Sequence, residues 1–209
     1  MSSERTAKLS KTEIIQTALL LAQDVGVDAV SFRRLAAQLQ VSPMALYRYY
    51  DDKQALLAAM LDKFIEDANV LPGTTHTTHW QHWISHVARH MYQALMSQPT
   101  WLPLLGQLPL QSSGLAVLDA CLEKLIAAGF SRQQAVRAFF SMIQVLFGAA
   151  IAQQQLQHTS TINIDNDKNF NSVNVAELEL LQVMQEEQIE IGLQILMAGL
   201  EQQLAQMEV

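Results

Sequence analysis

Between Phe32 and Leu56 the chain places two short apolar-periodic segments end to end, with only Gln40, Val41 and Ser42 between them. That junction constrains the fold more than any other stretch. Ser42 offers a capping hydroxyl, and Pro43 has no N–H to leave unpaired in a first turn, so a helix restarts there. The preceding helix then has room only from about Ser31 to Leu39, and the second runs from about Pro43 to Tyr49. Two such helices joined by a tight turn form a helix-turn-helix unit. Leu35, Ala36 and Leu39 line the inner face of the first, Val41 plugs the turn and Leu46 anchors the second. Ser42, Pro43, Met44, Ala45, Tyr47 and Arg48 are left as an outward rim. The tip of such a helix enters the major groove of duplex DNA.

The remainder reads as helix throughout, about nine helices in all, with no long apolar/polar alternation. Ser10-Lys-Thr-Glu13 is a capping box opening a helix that carries Ile14, Ile15, Ala18, Leu19, Ala22 and Val25 and stops at Gly26. A fourth helix starts near Asp51–Asp52 and carries Leu56, Leu57, Met60, Leu61, Phe64 and Ile65. The break VLPGTTHTT at 70–78 marks a boundary between a head, residues 8–68 with its helix-turn-helix at about 31–50, and a body, residues 69–209. Helices are expected at about 79–96, 112–128, 131–157 (opened by the box Ser131-Arg-Gln-Gln134) and 176–207. The Asn/Ser/Thr/Asp-rich stretch 158–174 is expected as a loop. The fold class is all-α: a three-helix head plus a helical body for ligand binding and dimerisation.

Charge is distributed to suit this division. The net charge is −7, yet residues 1–63 hold 8 Lys+Arg against 7 Asp+Glu, and the other 146 hold 5 against 13. DNA affinity must therefore come from a few placed cations. Lys53 is one: a cation in the first turn of a helix opposes the helix dipole unless an anion such as a phosphate lies close. The opening MSSERTAKLS reads as no signal peptide, no apolar run of about 18 residues suggests a membrane span, and a single cysteine, Cys121, suits a reducing, cytoplasmic setting.

Residues 8–66 resemble the DNA-binding head of the TetR family of bacterial transcriptional regulators. The resemblance is carried by Ile14–Ile15 with Ala18, Gly26 before Val30–Ser31, Leu35–Ala36, Val41–Ser42, Leu46–Tyr47, Tyr49–Tyr50, Lys53 and Leu56–Leu57. It implies a homodimer whose body binds a small molecule that releases the head from its operator. It also implies phosphate contacts at Tyr47 and Lys53, with base-edge contacts around Ser42, Pro43, Met44 and Arg48. Arg33 and Tyr49 complete the expected DNA-binding set. Two positions depart from the family pattern. Gln40 occupies the turn position that commonly holds Gly, at a strain of about 1 kcal/mol, and Tyr49 stands where His is frequent.

In the body, Ile189, Leu193, Leu196, Leu200, Leu204 and Met207 form one helical stripe, and Ala135, Ala138, Phe139, Met142, Leu146, Ala149 and Ala150 another. Pairing of these two helices with their copies is the expected dimer interface, through Ala135, Ala138, Leu146, Ala149, Ala150, Ile189, Leu193, Leu196, Leu200 and Leu204. Two recognition helices roughly 34 Å apart then read successive major grooves. The apolar and aromatic candidates for a ligand site are Trp80, Trp83, Val87, Met91, Trp101, Leu105, Phe139, Met142 and Phe147.

His79, His82, His86 and His90 recur within one helical arc. They read as a solvated or pocket-edge stripe, so no metal and no cofactor are expected. A nucleophile–base pair, a Gly-rich phosphate loop and a carboxylate constellation are all lacking, so no enzyme is expected. The expected function is a ligand-responsive DNA-binding transcriptional regulator, a repressor released from its operator. The expected partners are double-stranded DNA, a small apolar or aromatic ligand and a second copy. The alternatives are a metal-dependent enzyme or metal-binding protein built on the histidine helix, and a DNA-binding activator.

Overall fold

The computed structural model describes residues 9–72, 79–159 and 188–206. Residues 73–78 of the expected break, residues 160–174 of the expected loop, residues 176–187 of the expected last helix and Met207 lie outside them. Among the described residues there are eight α-helices, two 3-10 turns and no strand. The chain divides into two compact units, residues 1–67 with 103–115, and residues 68–102 with 116–209.

The first unit holds α1 (Lys11–Val25), a 3-10 turn (Val27–Ala29), α2 (Phe32–Gln38), α3 (Pro43–Tyr47) and α4 (Lys53–Ala68). Each helix start has a local cause. Ser10 accepts from the Glu13 N–H at 3.1 Å and Ser31 from the Arg34 N–H at 3.3 Å. The Asp52 carboxylate accepts from the Ala55 N–H at 2.8 Å. Ser42 makes no capping bond, and Pro43 alone opens α3.

The turn between α2 and α3 is a Schellman closure. The Val41 N–H reaches the Ala36 carbonyl at 3.0 Å, and the Gln40 N–H reaches Ala37 at 3.3 Å. Gln40 sits at φ 56°, the left-handed conformation expected of it. Ile14, Ala18, Val27, Val30, Leu35, Leu46, Leu56 and Met60 are fully buried and hold the helices in one core. Burying a Leu, Ile or Val side chain contributes about 1.5–3 kcal/mol, which secures a five-residue α3 that could not stand alone.

Residues 103–115 belong to this unit, contrary to the division expected after residue 68. The Asp62 carboxylate on α4 explains it by accepting the N–H groups of Ser113 and Gly114, at 2.7 and 3.3 Å. It thereby caps α6 (Ser112–Ala127).

The second unit contains α5 (Trp80–Ser97), the rest of α6, α7 (Arg132–Thr159) and α8 (Gln188–Ala205), with α7 packed on both α5 and α8. A 3-10 turn (Pro99–Leu104) interrupts the chain where Trp101 and Pro103 are expected to do so. The box at Ser131 forms in full. Gln134 Oε1 accepts from the Ser131 N–H at 2.9 Å, and Ser131 Oγ accepts from the Gln134 N–H at 3.4 Å. A Cβ at Gly192 would lie 2.5 Å from Val145 Cγ1, so α8 approaches α7 as closely as it does only through glycine. Arg89 on α5 and Glu190 on α8 form a two-pronged ion pair at 2.6 and 2.8 Å.

Burial on α7 and α8 bears on two expectations. Ala135, Ala138, Leu146, Ala149, Ala150, Ile189, Leu193 and Leu200, expected between subunits, are buried within the single chain, while Leu196 and Leu204 are half-buried. Of these, Ala138, Leu196 and Leu200 still line a concavity open on α7 and α8. The apolar surface that α7 and α8 do expose lies one step round each helix, at Val136, Phe140, Ile151 and Ile195. In addition, an 18-residue window within Arg132–Gln155 has a mean hydropathy of 1.7 and 33% of it is buried inside the chain; by length and composition alone it could cross a membrane, a test that the core helix of a soluble protein also passes.

Candidate nucleic-acid interface and ligand site

The local geometry of α3 decides which side chains can face a groove. Leu46 points inward with no exposure, so the residues on the opposite side project out. Ser42, Pro43, Met44, Tyr47 and Arg48 are exposed, Met44 by 73% and Tyr47 by 49%, and Ala45 is half-buried. The Tyr47 ring is held edge-on to Phe32 with centroids 4.5 Å apart. Phe32 thus aims the phenol outward, a role its sequence position did not announce, because an aromatic at the start of α2 reads as core.

Arg33 is exposed, and its neighbour Arg34 reaches back to the Ala29 carbonyl at 3.3 Å. Lys53 is exposed too. One of its N–H groups donates to the Asp28 carbonyl at 2.7 Å, and an ammonium has three donors, so two remain for an anion. The arrangement offers a narrow apolar-polar tip flanked by cations, which suits insertion between two phosphate backbones.

Tyr49 differs from the expectation. It is half-buried, and its hydroxyl donates to the carbonyl of Leu9, at the start of α1. Its polar atom is therefore directed to the chain's own backbone and not to the rim. Tyr50 is buried, which pushes its phenol above the usual range, and Lys11 lies 5.7 Å from its ring centroid.

In the second unit the nominated ligand residues separate into two groups. Trp80, Val87, Trp101 and Met142 are buried. Trp80 packs edge-on against Phe130 at 5.2 Å, and the Trp101 indole N–H donates to Gln98 Oε1 at 3.2 Å. These side chains are committed to the core. Trp83, Met91, Phe139 and Phe147 are half-buried; Leu105, also half-buried, falls in the first unit.

A concavity of about 830 Å³ opens on α7 and α8, and Val136, Phe140, Ser141, Ile195 and Gly199 line it; it includes none of the nominated ligand residues. The histidines do not converge. The His79 and His82 rings are 6.0 Å apart, and those of His86 and His90 stack at 3.8 Å. Among the described residues no three His, Cys, Asp or Glu side chains come together. Burial, then the charges of His90 and Arg89, hold the His86 imidazole below its usual range. The Cys121 thiol is fully buried and pushed up to about 12 by that burial.

A buried helix-turn-helix core presenting this rim defines a DNA-binding regulator. Comparison with known sequences agrees. Residues 14–60 match the family described as "Bacterial regulatory proteins, tetR family", and residues 71–204 match "Tetracyclin repressor-like, C-terminal domain". The chain belongs to the TetR family. It is a ligand-responsive, DNA-binding transcriptional regulator of the repressor type and not an enzyme, which removes the metalloenzyme alternative.

Among its relatives is the class A tetracycline repressor from transposon 1721 of Escherichia coli. It is 29% identical over 147 residues, covering 70% of this chain and 68% of that one. The class D tetracycline repressor of Escherichia coli is 25% identical over 203 residues, covering 95% and 92%. A structure described as a possible TetR family transcriptional regulator from Streptomyces coelicolor A3(2) superposes with TM-score 0.74 at 25% identity, covering 92% of this chain and 98% of that one. The Streptomyces coelicolor protein ActR in complex with actinorhodin shares the fold with TM-score 0.75 at 21% identity, covering 93% and 97%.

Proposed function

We propose that the chain acts in the cytoplasm as a homodimer that holds successive major grooves of an operator and lets go when a small apolar or aromatic molecule binds in its second unit. The observation that carries the DNA contact is the exposed rim on α3. Met44, Pro43, Ser42 and Arg48 meet base edges, with Arg33 beside them, while Tyr47 and Lys53 take phosphates. The observation that favours a dimer is the unburied stripe on α7. An 18-residue window of that helix, with mean hydropathy 1.7 and only 33% buried, asks for a covering surface. Val136, Phe140 and Ile151 on α7 with Ile195 on α8 supply the apolar patch. Gly148 and Gly199 have nothing within 4 Å of a Cβ position, so a second pair of helices can approach closely there.

Trp83, Met91, Phe139 and Phe147 line the ligand site, on the support that they are apolar or aromatic, half-buried, and carried by the packed pair α5 and α7. α6 begins in one unit and ends in the other, and Asp62 ties its first turn to α4. That makes α6 the element through which a ligand alters the head.

The test is a gel-shift titration of the full chain on the duplex upstream of its own coding region, across a salt series. The expected result is a salt-sensitive shift reversed by the cognate molecule. Tetracycline is the first to try, given the relatives at 29% identity. Absence of any shift at low salt sinks the proposal.

A further inference from the structure

We propose that Arg34 is a further phosphate-contacting residue, working with Lys53 as a two-cation clamp on one DNA strand. The inference rests on the DNA-binding assignment and adds to it a residue outside the rim on α3. Lys53 opens α4, and its ammonium donates to the Asp28 carbonyl at 2.7 Å. Arg34 lies in the first turn of α2, and its Nη1 donates to the carbonyl of the next residue along, Ala29, at 3.3 Å. Cations from two different helices thus close on consecutive carbonyls of one 3-10 turn, Val27–Ala29. Consecutive Cα atoms are about 3.8 Å apart, so the two charges stand within roughly 10 Å of each other. Both side chains are exposed.

Like charges brought together repel, and no acid of the fold is paired with either one. Among the described residues the ion pairs belong to Lys63 and Arg89, and the carboxylate of Asp52, beside Lys53 in sequence, is taken by the Ala55 N–H. The other cations of the head have different surroundings. Lys63 is held by Glu66 and Asp67 at 2.9 and 2.8 Å, and Lys11 faces the Tyr50 ring. Arg33 and Arg48 stand in the base-edge set. One donor spent on a carbonyl leaves two on the ammonium and four on the guanidinium. The carbonyls also fix where both side chains run, so less rotamer freedom is lost when an anion binds. A DNA strand carries one phosphate per about 3.4 Å of helix axis, so a gap of roughly 10 Å spans at most about three successive phosphates. With Lys53 on one phosphate, Arg34 reaches another on the same strand. Such contacts hold the head in register and carry no sequence preference of their own.

The test uses the full chain and a duplex selected by the wild-type protein from a random-sequence pool, with binding followed by fluorescence anisotropy across a KCl series. Each phosphate contact contributes a slope of about −0.9 to log K against log salt. Arg34→Ala should flatten the slope by about 0.9 for each bound copy, and Arg34→Lys, which keeps the charge, should restore it. The phosphates are then replaced one at a time by neutral methylphosphonates. The Arg34→Ala loss should vanish at one phosphate and the Lys53→Ala loss at another, at most about three steps away on the same strand. A slope untouched by Arg34→Ala overturns the proposal. So does a loss that Arg34→Lys leaves in place, which would put the effect in the fold of the turn. A loss that persists whichever phosphate is neutralised overturns it too, because the charge would then act only through the general field, and so do coupled phosphates on opposite strands. If the wild type selects no duplex at all, the DNA-binding assignment falls and takes this inference with it.

Discussion

Phe140 gives the sharpest test of how two subunits meet. Its side chain on α7 is 62% exposed, the largest exposed aromatic surface among the described residues, and it lies beside Val136 and the exposed Ile195 of α8. A phenylalanine buries on the order of 200 Å², so about 120 Å² per subunit awaits cover, worth about 3 kcal/mol at ~25 cal/mol per Å² and about 6 kcal/mol for the symmetric pair. Even half of that corresponds to about a hundredfold in the dimer dissociation constant. Phe140→Glu removes this surface and asks two carboxylates to be buried, which adds to the loss. Sedimentation equilibrium over a concentration series should show the variant as a monomer where the wild type is a dimer. Because position 140 is exposed in the subunit, its helical circular dichroism should be retained. Leu115→Glu, at a 46% exposed apolar position on α6, serves as the control and should leave the mass unchanged. A Phe140→Glu protein with the wild-type dimer constant would refute the reasoning, and a wild type that is monomeric at every concentration would refute the dimer.

Other consequences can be measured on the same protein. Gln40 holds φ 56°, so a β-branched Gln40→Val should cost about 1–2 kcal/mol and lower Tm by several degrees, whereas Gln40→Gly should hold or raise it; a thermal melt decides. The Arg89 guanidinium holds the Glu190 carboxyl below its usual range. That contribution is therefore present above about pH 4.3, the unfolded carboxyl value, and is lost as pH falls through the lower folded value. With 43% and 39% of the two side chains exposed, it amounts to about 1 kcal/mol or less, and Glu190→Gln should remove that part of the acid transition in a denaturant series. Cys121, buried and pushed up to about 12, should resist a disulfide reagent in the native protein and react only on unfolding.

Local chemistry fixed most of the head before any packing was known. Ser10, Ser31, Pro43 and Gly26 start or stop helices through their own backbone and side-chain preferences. Gln40 adopted the left-handed turn that the spacing between α2 and α3 required. Whatever depends only on neighbours three or four residues away is legible in a sequence, which is why the rim at Ser42, Pro43, Met44, Tyr47 and Arg48 could be named. Tyr49 could not be assigned that way, because its partner Leu9 is 40 residues distant. The same limit governed the body. On α7 and α8 the apolar residues outnumber those that one face can hold, so periodicity alone could not say which stripe is core. Only the close approach of α8 at Gly192 and the packing of α7 on α5 placed Ala135, Leu146 and Leu193 inside and left Phe140 and Ile195 outside. Sequence determines where helices begin and which residues are apolar; tertiary packing alone decides which apolar face is already satisfied, because burial is a property of neighbours that the chain brings together from afar.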